Sequence, residues 1–170
     1  KESISYLNKK FDIENFVSFQ GIKQGIENTN YLLKTKNRKY ILTIFEKRVS
    51  NKELPFFMRL MEILNSSKIN CPRPIKNKDG NYLFKLKNKN ACIVSFLEGR
   101  DKKILNIKNC YDVGKIIARM HLITKNIKIF RKNSMGINNL NPLLKSIRFK
   151  KRETHNLEKF LKINLKDIKK

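Results

Sequence analysis

The stretch QGIKQGIENTN, residues 20–30, contains residue types that can cradle an anion. Gly21 and Gly25 let backbone N–H groups approach phosphate oxygens and form a concavity lined by donors. Asn28 and Asn30 can brace such a loop through side-chain bonds to the backbone. The GxxxG spacing is neither that of a Walker A loop nor the GxGxxG of protein kinases. Taken alone, the stretch is as readily the turn of an ordinary hairpin. Other reactive side chains are sparse. His121, in ARMHL, lies beside an apolar stripe and is expected in the core, and His155 sits in a Lys/Arg-rich stretch and is expected to be exposed. Neither has a metal-ligand partner at a useful spacing. Cys71, Cys92 and Cys110 form no CxxC pair and no even disulfide framework, so they are expected as buried free thiols.

The elements that would position the loop follow from hydrophobic period. Residues 8–16 read as a short helix or lead-in. FVSFQGI, NYLLKT and YILTIFE are short runs rich in β-branched and aromatic residues, and they predict an antiparallel meander turning at Lys36-Asn37-Arg38. Leu54, Phe57, Met58, Met61, Leu64 and Ile69 recur at helical spacing, with Ser50 or Asn51 able to cap the helix and Pro55 in its first turn. CPRP at 71–74 enforces an extended segment. NYLFKL and ACIVSF, joined by KNKN and preceded by the Asp79-Gly80 turn, predict a second hairpin. After Leu97-Glu98-Gly99 the pattern becomes helical, with Val113, Ile116, Ile117 and Met120 on one face and a further stripe from Leu157 to Ile168. A boundary is therefore expected near residue 99.

Composition bounds the class. The 170 residues hold one ordinary domain, or one small lobe and the start of a second, and the 40% hydrophobic content with eleven Phe supports a core. No apolar run reaches the roughly 18 residues that span a bilayer, and no leader opens the chain, so a soluble, cytoplasmic protein with no membrane partner is expected. The net charge of +25 suggests nucleic acid. However, there are 30 Lys against 9 Arg, and Lys, Asn and Ile together make 72 of the 170 residues. AT-rich codons encode all three, so base composition alone can raise lysine throughout. Arginine, which forks onto bases and phosphates, is not clustered. A nucleic-acid partner is not expected, although a basic nucleic-acid-binding module remains the alternative from another class.

SFQGIKQGIENTNYLLKT, YILTIFEKRV, LPFFMRLMEIL, CPRPI, DGNYLFKL, ACIVSFLEG and ARMHL, in this order over residues 5–136, resemble successive blocks of the bacterial homoserine kinases of the aminoglycoside-phosphotransferase-like type. The resemblance implies an α+β, protein-kinase-like fold. A small lobe over 1–98, a five-stranded antiparallel sheet plus one helix, would bind nucleotide, and 99–170 would begin a mainly helical large lobe. It implies ATP and Mg²⁺ as cofactors and L-homoserine as substrate, phosphorylated on its hydroxyl in threonine biosynthesis. Another small-molecule kinase of the superfamily, of choline, methylthioribose or aminoglycoside type, is the alternative within the class.

The resemblance also implies the site. Gly21, Gly25, Asn28 and Asn30 would form the phosphate loop, and the adenine edge would meet the backbone of Phe96, Leu97 and Glu98. The superfamily usually places on the third strand a lysine that grips phosphates, held by a helix glutamate. Here Thr43 stands at that position, Lys47 is four residues on along the same strand face, and the glutamate is open between Glu53 and Glu62, with Phe57 at the aligned position. No H-x-D-x-x-x-x-N string follows Gly99, and Asp101, Asp112 and Asp167 lie in other contexts. The catalytic residues and metal ligands are therefore expected beyond Lys170, with this chain a partial sequence that is inactive alone.

Overall fold

In the computed structural model, which describes residues 2–23, 27–46, 50–133, 136 and 159, the elements run α1 (Glu2–Lys10), β1 (Ser18–Ile22), β2 (Asn28–Lys34), β3 (Lys39–Phe45), α2 (Leu54–Ser66), β4 (Leu83–Leu86), β5 (Lys89–Ser95) and α3 (Ile107–Thr124). The strands make one five-stranded sheet in the order β1-β2-β3-β5-β4, and every pairing is antiparallel. This is the expected meander, then helix, then hairpin. The chain divides into two compact units, Lys1–Phe130 and Arg131–Lys170. Residue 99 lies inside the first unit, in the stretch without regular structure between β5 and α3.

Because side chains alternate across a strand and directly opposed residues share a face, the register divides the sheet into two surfaces. On one, Tyr31, Leu33, Tyr40, Leu42, Ile44, Phe84, Ala91 and Ile93 pack with Ile4, Leu7 and Phe11. On the other, Ile41, Phe45, Leu83, Cys92 and Val94 pack with Phe57, Met58 and Met61 of α2. Each helix thus closes one face.

The first helix begins earlier than the 8–16 lead-in that the sequence suggested. Ile4, Leu7 and Phe11 recur at three- and four-residue steps and so form one apolar stripe, and Leu7 and Phe11 are each 1% exposed. Phe11 meets Phe84 edge-on at 5.2 Å. The stretch after the helix is held by Asn8, whose amide accepts from the Phe16 N–H (2.8 Å) and donates to the Phe16 carbonyl (3.3 Å).

At the start of α2 neither expected cap acts as one. Glu53 occupies the N-cap position without a side-chain capping bond, while Pro55 lies in the first turn as expected. Ser50 instead closes the preceding turn, its carbonyl accepting from the Glu53 N–H at 2.9 Å, and Asn51 Oδ1 accepts from the Asn90 amide of β5. The helix stops at Ser66, three residues short of Ile69. Lys68 takes the left-handed conformation (φ 59°), and the Ile69 N–H turns back to the Leu64 carbonyl, so Ile69 is buried after the helix rather than along it.

The segment 71–74 runs extended beside β5, with Pro74 bridging Val94 and the Ser95 N–H donating to the Arg73 carbonyl. Gly80 has φ 79°, the left-handed turn that Asp79-Gly80 predicted. In α3 the side chain of Asn106 accepts from the Asn109 N–H and that of Asn109 from the Asn106 N–H, a reciprocal N-terminal cap. None of the α3 residues is buried. His121 is consequently exposed rather than in a core, and so is Cys110; Cys71 is half-buried, and only Cys92 is the buried thiol expected. The physical reason is shared: the apolar stripe of α3 is not covered, with Tyr111 and Val113 both more than half exposed.

Candidate functional site

The loop expected to cradle phosphate joins β1 to β2. Gly21 is not in the loop itself. It is a strand residue opposite Tyr31, and a Cβ at that position would sit 3.8 Å from the Tyr31 ring, on the α1 face. Gly25 lies outside the described residues, as does Lys47.

Asn28 and Asn30 begin β2, opposite Phe45 and Thr43 respectively. Since Phe45 packs against α2, both asparagines and Thr43 belong to the α2 face. Asn30 Oδ1 accepts from the Thr43 hydroxyl at 2.9 Å, and Asn28 Oδ1 accepts from the Glu46 N–H at 3.4 Å. The two amides therefore tie the start of β2 to the end of the third strand, rather than bracing the β1–β2 loop through its backbone as the sequence suggested; among the described residues Asn30 bonds a side chain, and only Asn28 bonds a backbone group. The link from Asn30 to Thr43, side chain to side chain, carried no sequence signal beyond the two residue types, because it depends on register.

Glu46 shows how the two faces are separated. Its carboxylate accepts from Thr29 Oγ1 (2.9 Å) and pairs with Lys89. Thr29 lies between Asn28 and Asn30 and points to the opposite face. A cavity of about 300 Å³ opens there, between α1 and the sheet, lined by Ile4, Leu7, Tyr31, Leu42, Ile44 and Glu46 among others.

Of the candidates for a helix glutamate, Glu62 accepts from the Tyr82 hydroxyl and from Arg59. These bonds, the tyrosine's first, hold its carboxyl below the usual carboxylate range. Burial, and then the Glu62 bond, pushes the Tyr82 hydroxyl up to about 12. Glu53 is the N-cap residue of α2. Phe57, at the aligned position, packs into the apolar cluster with Cys92, Ile41 and Phe45, and burial pushes the Cys92 thiol up to about 12. An apolar side chain and a hydroxyl thus occupy the aligned pair of positions.

The expected adenine hinge leaves the end of β5. The Phe96 N–H donates to the Lys39 carbonyl at 3.3 Å, so it continues the β3–β5 ladder. Glu98 pairs with Lys39 Nζ at 2.9 Å, and the same ammonium lies 5.3 Å from the centre of the Phe96 ring. Leu97 is partly exposed, and among the described residues its backbone has no hydrogen-bond partner. At the far end of α3, Arg119 donates to the Ser67 carbonyl at the α2 C-terminus (3.2 Å), placing a cation where the helix dipole is negative.

Comparison with known proteins places this arrangement. Residues 18–162 match the phosphotransferase enzyme family. The chain belongs to that family. It is 43% identical over 139 residues to a homoserine kinase of Paramagnetospirillum magneticum, covering 82% of this chain and 43% of that one. It is 40% identical over 138 residues to a homoserine kinase of Parvibaculum lavamentivorans, covering 81% and 43%. The chain thus spans about two-fifths of the length of these curated relatives. Two solved structures share the family's kinase-like fold at 14% identity. One is a spectinomycin phosphotransferase in complex with ADP and spectinomycin (TM-score 0.59, covering 96% of this chain and 52% of that one). The other is a microcompartment-associated aminopropanol kinase (TM-score 0.63, covering 85% and 49%).

Proposed function

We propose that this chain supplies the nucleotide lobe of an ATP-dependent homoserine kinase, which transfers the γ-phosphoryl group to the side-chain hydroxyl of L-homoserine. The observation that carries the substrate is the 40–43% identity to homoserine kinases over about four-fifths of the chain. The sheet-and-helix architecture shared with small-molecule kinases supports the lobe. In this reading residues 1–98 are the small lobe and 99–170 begin the large one. Asn28 and Asn30, at the start of β2, face the phosphates from the α2 side, Gly25 is kept with them as part of the phosphate loop, and the hinge from Phe96 to Glu98 meets the adenine edge. Lys47 is retained as a further phosphate ligand.

Among the described residues no group of three His, Cys, Asp or Glu side chains could hold a metal ion. This reading assigns Mg²⁺ binding and the orientation of the hydroxyl to residues outside the described part of the chain. No described helix is long and apolar enough to cross a membrane, and the reading places the enzyme in the cytoplasm.

The test is a coupled assay of the intact protein with ATP-Mg²⁺ and a panel of homoserine, choline, methylthioribose and an aminoglycoside. ADP release with homoserine, and little with the others, is expected. Turnover of another member of the panel without turnover of homoserine would refute the substrate. Salt-sensitive binding to duplex or single-stranded nucleic acid, unprotected by ATP, would favour a basic binding module instead.

A further inference from the structure

Thr43 takes the aligned place of a phosphate-gripping lysine, and its single hydroxyl proton is already committed to Asn30 Oδ1. A hydroxyl has one donor, so Thr43 in this arrangement has none left for a phosphate oxygen. The amide it holds does. With Oδ1 occupied, Asn30 presents its two N–H donors, and Nδ2 has no partner among the described residues. It is not sealed in the interior either: no unpartnered asparagine nitrogen is among the buried polar atoms. Asn28 repeats the arrangement two residues away. Its partner, the Glu46 N–H, can only donate, so the Asn28 oxygen must be the bonded atom, and its nitrogen has no partner among the described residues. Both asparagines are half-buried, and both lie on the α2 face beside the loop. Their Cα atoms are two strand residues apart, about 7 Å, a spacing that successive phosphates of a nucleotide tail can share. The Glu46 carboxylate, whose backbone N–H bonds Asn28, is directed to the other face by Thr29 and Lys89, so it does not oppose an anion at the amides.

We propose that Asn30, seconded by Asn28, is a direct phosphate-binding group of this lobe, beside the loop backbone and Lys47. Neutral amide donors would do there what the superfamily's lysine usually does, and Thr43 would be the positioning residue that turns the Asn30 amide outward. The inference rests on the nucleotide-lobe reading above and deepens it. It identifies the ligand part recognised as the polyphosphate, not the base or the sugar.

The experiment is calorimetric titration of the intact protein and its variants with a non-hydrolysable ATP analogue, ADP and adenosine. Asn30→Asp replaces two donors by an anionic acceptor and is expected to weaken the ATP analogue tenfold or more while leaving adenosine within twofold. Asn30→Ala should fall between. Thr43→Val should weaken the analogue severalfold, and Thr43→Ser, which keeps the hydroxyl, should restore it. Thermal unfolding of each ligand-free variant separates a damaged fold from a lost contact. An unchanged preference for the ATP analogue over adenosine in Asn30→Asp, or an equal loss of both ligands, would overturn the proposal while leaving the nucleotide reading intact. Failure of the unsubstituted protein to bind any of the three would overturn the nucleotide reading and the proposal with it.

Discussion

Replacement of Phe11 by alanine tests whether α1 is integral to the lobe or only a lead-in to it. Phe11 is 1% exposed and touches the same core as Leu7, Leu33, Leu42 and Ile93. Truncating a buried phenylalanine costs about 3–5 kcal/mol, from lost transfer free energy and the cavity left behind. A unit of 130 residues has a total stability of about 6–20 kcal/mol at roughly 0.05–0.15 kcal/mol per residue, so the loss is a large fraction of the whole. At about 2–4 °C per kcal/mol for a chain of this size, the thermal midpoint should fall by about 10 °C. The edge-on contact with Phe84 at 5.2 Å should appear as a coupling of about 0.5–1.5 kcal/mol in a double-mutant cycle of Phe11→Ala with Phe84→Ala. The chain has no tryptophan, so far-UV circular dichroism is the suitable probe. A midpoint lowered by less than about 2 °C, with no coupling to Phe84, would refute the argument that α1 closes the second face of the sheet.

Three further outcomes follow from single contacts. The Tyr82 hydroxyl bond to Glu62 should contribute about 1 kcal/mol at neutral pH. Because Glu62 is held below its ordinary value of 4.5, this contribution is fully present above that pH and is lost as pH falls through the lowered value. The midpoint difference between the unsubstituted protein and Tyr82→Phe should therefore shrink in acid, and a difference that grows below pH 4.5 would contradict the bond. Lys87 and Asn88, with φ 45° and 65°, form the two-residue turn between Leu86 and Lys89. Lys87→Asn with Asn88→Gly should stabilise the protein by about 1 kcal/mol in chemical denaturation, since those residues accept that geometry at less cost. Cys110 is exposed and Cys92 buried with its thiol pushed up to about 12, so a thiol reagent at pH 7.5 should modify Cys110 rapidly and Cys92 only on unfolding.

The strands and α2 were legible because their apolar period is local and because turn residues bound them, as at Asp79-Gly80. The extent of α1 was not, because its stripe of Ile4, Leu7 and Phe11 is short and bordered by polar residues, and its helical character comes from packing on a sheet formed later in the chain. The exposure of His121 and Cys110 escaped for a related reason. An amphipathic stripe predicts a face that can be buried, not the surface that covers it. At the candidate site, residue types pointed to Asn28, Asn30 and the loop. Only the pairing of Asn30 with Thr43 and of Gly21 with Tyr31 assigned faces to them. A one-residue change of register would exchange those assignments.

That division of faces bears on where a nucleotide can be held. The cavity of about 300 Å³ lies on the α1 side, and most of its lining residues are apolar. Its polar rim includes the Glu46 carboxylate, already paired with Lys89 and Thr29. A polyphosphate placed there would lose its hydration against a mostly apolar wall, and of the two lysines at its rim, Lys87 and Lys89, the second is already paired with Glu46. On the α2 side, by contrast, Thr43 and Phe57 occupy positions where the superfamily usually carries an ion pair. Replacing both members of a pair leaves no unpaired charge behind, whereas replacing one would. In the proposed alignment the lysine and the glutamate are absent together, so neither leaves an uncompensated charge. The neutral amides of Asn28 and Asn30 fit that arrangement, since amides need no counter-charge to hold them when the site is empty.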